Sequence, residues 1–161
     1  MIIDDEVAAV LLAIAIVASV FAIAQILLST RVVEPFSELG LLGPRAKIGD
    51  YPKEVLVGEK FKLYVYVGNH EGRTTYYKLL VKLGNASTFV NSSVPADAPV
   101  IKTLEVILVN NATWLYPLVL SINETGINYK LIIEMWVYDP EIDDFKYHGR
   151  WVHLWLNVTK P

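Results

Sequence analysis

The chain has 161 residues, 53% of them hydrophobic, a formal net charge of −3 and no cysteine. That length allows one membrane span and one domain, and the missing thiols exclude disulfides, thiol catalysis and thiolate metal sites. Asp4, Asp5 and Glu6 carry the whole net charge; from residue 29 onward 14 basic and 14 acidic residues balance, so nothing electrostatic points to nucleic acid.

After the acidic residues 1–6, Val7 to Leu28 form one unbroken apolar run of 22 residues without charge or proline. Ser19 and Gln25 are its only polar side chains. As a helix it would reach about 33 Å, enough for a hydrocarbon core of roughly 30 Å, and a helix satisfies its own backbone in lipid. A secretory signal has a basic start, a shorter apolar core and a small-residue cleavage site. Here the start is acidic, the core is longer, and Leu28-Ser29-Thr30-Arg31 makes a poor cleavage site. The run predicts a retained transmembrane helix over 7–28, with membrane lipid as its surroundings. Ala15 with Ser19, and Ala18 with Ala22, line it at four-residue spacing, and Gln25 lies on the Ala18–Ala22 face. Such small residues suit close packing against a second helix; a single alanine-rich span reads equally well.

Two cues bear on orientation. Arg31 follows the helix and nothing basic precedes it, which favours a cytoplasmic domain. Against it, five of the eight asparagines stand in N-x-[ST]: Asn85, Asn91, Asn111, Asn123 and Asn157. That density points to N-linked glycans and to a domain outside the cell.

Residues 29–35 read as a linker, ended by Pro35, and 36–161 as a single extracytoplasmic domain. Period-two alternation then replaces the helical pattern. Strands are expected at 54–57, 60–68, 74–83, 102–109, 113–122, 129–139 and 149–159. Asn69-His70-Glu71-Gly72, Asn110-Asn111 and Asn123–Asn128 supply turn residues. Residues 84–99 form a polar loop with two sequons and two prolines. About seven strands and no further helix predict an all-β, antiparallel, immunoglobulin-like β-sandwich behind the N-terminal helix.

A glycosylated Asn157 must face water, and period two puts Trp151, His153 and Trp155 on its side. Trp136 and Tyr138 share the matching face of the neighbouring strand. Together these five predict an outward aromatic patch of the kind that marks interfaces, unless residues 36–50 or an edge strand cover it.

Leu42-Gly43-Pro44, Tyr51-Pro52, Val57-Gly58-Glu59, Asn69-His70-Glu71-Gly72-Arg73 and His153-Leu154-Trp155 occur in this order. Over roughly residues 36–159 they resemble the C-terminal part of an archaeal membrane-protein family, the domain of unknown function 1616. The resemblance implies an archaeal envelope protein with an extracytoplasmic β-domain and brings no activity with it. Longer members carry several membrane helices before the domain, where this chain has one.

Candidate chemistry is sparse. Asp139, Glu141, Asp143 and Asp144 cluster acids in one loop, yet without the glycine and distant glutamate of a calcium loop; a solvated turn is the simpler reading. His70, His148 and His153 lack metal-ligand spacing. No hydrolase, metalloprotease, phosphate-loop or dinucleotide motif is present, and Glu105 and Glu134 sit singly on strands, like exposed-face charges. The expectation is a non-enzymatic, cofactor-free, single-pass envelope glycoprotein whose domain binds an envelope protein or its own copies. A pilin-like filament subunit is a second reading, with Glu6 near the helix start but no basic-Gly processing signal. A carbohydrate-binding module using the aromatic patch is a third.

Overall fold

The computed structural model describes residues 4–29 and 34–161. Arg31, the cue for a cytoplasmic domain, and most of the 29–35 linker lie outside the described residues. The chain forms two compact units that part between Glu34 and Pro35.

The first unit is helix α1, Asp5–Ser29, whose acids Asp5 and Glu6 occupy the first turn, where negative charge suits the helix dipole. It is apolar on every side, with no buried residue, and is long and apolar enough to cross a membrane. It is a candidate span or signal sequence. Ser19 donates to the carbonyl of Ala15 at 2.7 Å, so its hydroxyl is satisfied within the helix.

The second unit is a β-sandwich of eight strands: β1 Phe36–Leu42, β2 Glu54–Leu56, β3 Phe61–His70, β4 Thr75–Gly84, β5 Val100–Leu108, β6 Thr113–Leu120, β7 Gly126–Asp139 and β8 Asp144–Thr159. One sheet has the order β1-β3-β6 and the other β2-β8-β7-β4-β5. All pairs are antiparallel except β2, which runs parallel to β8. The N-terminal stretch therefore changes sheets between β1 and β2. The inward faces read directly from the alternation. Leu63, Val65 and Val67 of β3 meet Tyr77, Leu79 and Val81 of β4, Leu131, Ile133 and Met135 of β7, and Leu156 and Val158 of β8. Burial of each such side chain stabilises the domain by about 1.5–3 kcal/mol before chain entropy is set against it.

Three features differ from the alternation-based reading. Residues 36–42, where no strand was expected, form β1, and Ser37 is fully buried at its first inward position. The 140–148 connection shrinks to a tight hairpin because β8 begins at Asp144. Glu134 is no exposed-face charge; it is wholly buried.

Candidate functional site

The outer face of the five-stranded sheet carries most of the unusual side chains, and it is divided in two. One half is roofed by residues 85–99. Val90 and Ala96 pack there on Ile132, with Trp151 at the margin. Lys82 and Glu134 form a buried ion pair at 2.9 Å beneath the same segment. Lys82 also donates to the Ala96 carbonyl at 2.7 Å, and the Ala96 N–H donates to Glu134. The Trp136 indole N–H donates to Glu134 Oε2 at 3.2 Å, so each charge has further partners, as burial requires. Tyr147 donates to the Asn91 carbonyl at 2.8 Å and Lys130 to that of Thr88 at 3.0 Å, tying down the outer rim. Burial, with the Glu134 charge nearby, pushes the Tyr147 hydroxyl up to about 12. The cover is this loop, not residues 36–50 or an edge strand.

The five aromatic residues expected on one patch therefore have different settings. Trp136, Tyr138 and Trp151 are half-buried, while His153 and Trp155 are exposed. His153 stacks on Trp151 with ring centres 5.3 Å apart and meets Trp155 edge-on at 5.8 Å. The Lys130 ammonium lies 5.6 Å from the Trp151 ring and 5.5 Å from that of Trp155, within cation–π range. Partial desolvation of the ring, and secondarily Lys130, hold the His153 imidazole below its usual range.

The open half of the face holds a second aromatic cluster that the alternation missed. Tyr76, Tyr138 and Phe145 have ring centres 4.9–6.1 Å apart, and the Lys78 ammonium sits 3.7 Å over Phe145. Tyr76 donates to Glu105 and Tyr138 to Asp143, and those carboxylates raise both phenols. The signal was present: Phe145 and Tyr147 continue the odd-numbered parity of Trp151, in a segment read as loop.

The Asn69–Arg73 turn is a structural junction. The buried Asn69 amide donates to the carbonyls of Arg73 and Leu108, each at 2.8 Å, and its oxygen accepts from the Glu71 N–H at 3.0 Å. Gly72, at φ 73°, occupies the left-handed position that glycine takes without strain, and its N–H donates to Asn110 at 2.9 Å. Ser37 donates to Glu71 Oε1 at 2.5 Å and pairs with the Tyr77 hydroxyl at 2.8 Å. His148 Nε2 lies 3.3 Å from the same Glu71 oxygen. Serine, histidine and glutamate are the residue types of a hydrolytic triad. Here, however, Ser37 is fully buried and bonds the carboxylate, not the imidazole, so it has no base to activate it. The group braces β1, the turn and β8.

The five sequon asparagines are exposed or half-exposed. Asn85 and Asn91 accept, through Oδ1, from the backbone N–H groups of Ser87 and Ser93 at 2.9 and 2.8 Å; Asn157 accepts from Asn128 at 2.8 Å. Among the described residues none of the five uses its Nδ2, the atom that a glycan would occupy, whereas the non-sequon Asn69 spends both Nδ2 protons inside the fold. In the 139–144 loop Asp139 accepts from the Glu141 N–H and Asp143 from Tyr138. Among the described residues no three His, Asp or Glu side chains are grouped to hold a metal ion. Ala15, Ala18, Ser19, Ala22 and Gln25 all lie on the uncovered surface of α1.

A family model described as a domain of unknown function (DUF1616) matches residues 30–157. Among solved structures the chain is similar to the CARDB domain of the PF1109 protein from Pyrococcus furiosus. The crystal structure of that domain in complex with di-metal ions superposes with a TM-score of 0.53 at 15% identity, covering 82% of this chain and 100% of that one. Its solution structure gives 0.51 at 15% identity, covering 79% and 97%. At this identity the likeness establishes the immunoglobulin-like sandwich and nothing further. No curated protein matches the chain.

Proposed function

The chain belongs to the DUF1616 family, and from that premise we propose that it is a non-enzymatic, single-pass envelope glycoprotein whose β-sandwich faces the cell exterior and docks a protein partner. Helix α1 anchors it, and the domain supplies rigid surface. The observation that carries this reading is the state of the sequon amides: among the described residues five Nδ2 groups make no hydrogen bond, each two residues before a hydroxyl side chain. The Trp151–His153–Trp155 ladder favours docking, since aromatic side chains on a rigid strand contribute contact area at little entropic cost. An archaeal source fits the family resemblance.

The test is intact-mass analysis of the protein from its native membrane, with Asn→Gln at each sequon in turn. Each occupied position should remove one glycan mass, and protease added to intact cells should cut the domain. Bare asparagines together with a domain resistant to external protease would overturn the reading.

A further inference from the structure

We propose that two copies of this protein pair through the open edge of β8, antiparallel about His153. The inference deepens the docking reading above by naming the partner, and it rests on that reading for the anchor that holds both copies in one plane.

The edge follows from backbone hydrogen bonding. β7 pairs with one side of β8 along most of its length. On the other side β2 pairs only with Asn157, Val158 and Thr159. Pro52 has no N–H to donate, and Gly49 and Asp50, at φ 115° and 54°, turn the preceding chain. The ladder stops where Asn157 N–H donates to the Lys53 carbonyl at 2.9 Å. That bond fixes the parity: Asn157 directs its backbone groups away from β7, so Trp155, His153 and Trp151 direct theirs the same way. At the far end, the register breaks between Glu134 and Trp136 opposite residues 148–150, a bulge of the kind that ends flat pairing. Among the described residues the straight run with no partner on this side is thus Trp151–Trp155. An open groove follows it, with Leu41, Asp50, Tyr51 and Lys53 on its opposite wall.

This run is a chemical palindrome, Trp-Val-His-Leu-Trp. A two-fold interface requires a self-complementary surface. Antiparallel pairing centred on His153 sets Trp151 against Trp155 of the second copy, and His153 against its own counterpart. The outward N–H and C=O groups then form roughly six backbone hydrogen bonds, and indoles meet across the seam on the outer face. The contact is smaller than the roughly 1,200 Å² of a standard interface, so it depends on the raised effective concentration of two anchored neighbours.

The absence of cysteine makes the test clean. Full-length chain is reconstituted in lipid vesicles with single cysteines and mildly oxidised. His153→Cys should give a disulfide-linked homodimer, because directly opposed residues lie about 5.5 Å apart between Cα atoms. Trp151→Cys mixed with Trp155→Cys should cross-link, and Trp151→Cys alone should not, its two copies lying ~14 Å apart along the strands. Ile107→Cys on β5, the other edge strand of the sheet, reports random collision. Dimer yield several-fold above Ile107→Cys, with this pattern, supports the pairing. No excess at His153, or equal linking by Trp151→Cys alone, overturns it. The same His153→Cys chain oxidised in native membranes separates the two ideas: an adduct with a different protein sinks self-pairing and keeps the docking reading, whereas no adduct of either kind sinks both.

Discussion

Lys82 Nζ lies 2.9 Å from Glu134 Oε2, with the two side chains 8% and 0% exposed. The pair joins β4 to β7 and, through both polar groups of Ala96, holds the 85–99 loop on the sheet. Removing one member leaves an uncompensated buried charge. Glu134→Ala should therefore destabilise the domain by about 3–5 kcal/mol, and the Lys82→Met/Glu134→Leu double variant by much less. Urea unfolding of the three proteins checks this; equal losses for the single and double variants would contradict it.

Asn69, itself fully buried, supplies two donors and an acceptor to the turn. Asn69→Ala should cost roughly 2–4 kcal/mol, because the orphaned groups stay buried. His70→Ala, on the neighbouring side chain, loses only partly exposed contacts, to Asn111, Glu38 and the stacked Phe36 ring, and should cost less, about 1 kcal/mol. Thermal melts of the two variants measure the contrast.

Gly149 stands at φ 82°, and a Cβ there would lie 2.4 Å from the Ser92 carbonyl oxygen. Gly149→Ala should loosen the 85–99 loop as well as strain β8, with a penalty of about 1–3 kcal/mol. Faster amide exchange at residues 92–96 would identify the loop as the place where the strain is released; unchanged exchange there would refute that route.

Tyr147 ties alkaline stability to the same loop. Its hydroxyl is raised to about 12 in the fold against about 10 in the unfolded chain. The native state thus holds its proton longer, and the stabilisation present below pH 10 is lost as pH rises toward 12. Urea midpoints should fall across that window for the native sequence and fall less for Tyr147→Phe.

His153 acts on the acid side with the opposite sign. Its imidazole is lowered by partial desolvation and by Lys130, so the unfolded chain takes up a proton first. Stability should be complete above about pH 6.5 and decline as pH drops toward the folded value. His153→Gln should flatten that decline in acid titrations followed by tryptophan fluorescence.

The strands with an apolar inward face were legible from alternation alone: 61–67, 77–83, 131–137 and 152–158 carry their own period. β1 was hidden because its innermost residue is Ser37, matched to Glu71 and Tyr77 some 34 and 40 positions away, and because Gly40 interrupts the pattern. Glu134 looked solvent-facing for a related reason. Parity does place it on the outer side of the sheet, but no local signal tells that residues 85–99 return to cover that side. The outward placement of Trp155 and His153 was readable, since it needs only parity and an exposed Asn157. The Tyr76–Tyr138–Phe145 cluster needed the true start of β8, which Asp143 and Asp144 disguised as loop.

The passage of the N-terminal strand from one sheet to the other has a mechanical consequence. Tension applied at the N-terminal end of the domain enters it at β1 and must first peel that strand from β3, where seven residue pairs run from Phe36↔His70 to Leu42↔Tyr64. Only then does load reach β2, whose parallel bonds to β8 are sheared together. The domain therefore meets such a pull with a fuse at its entrance, β1, and a latch behind it at the β2 edge of the five-stranded sheet.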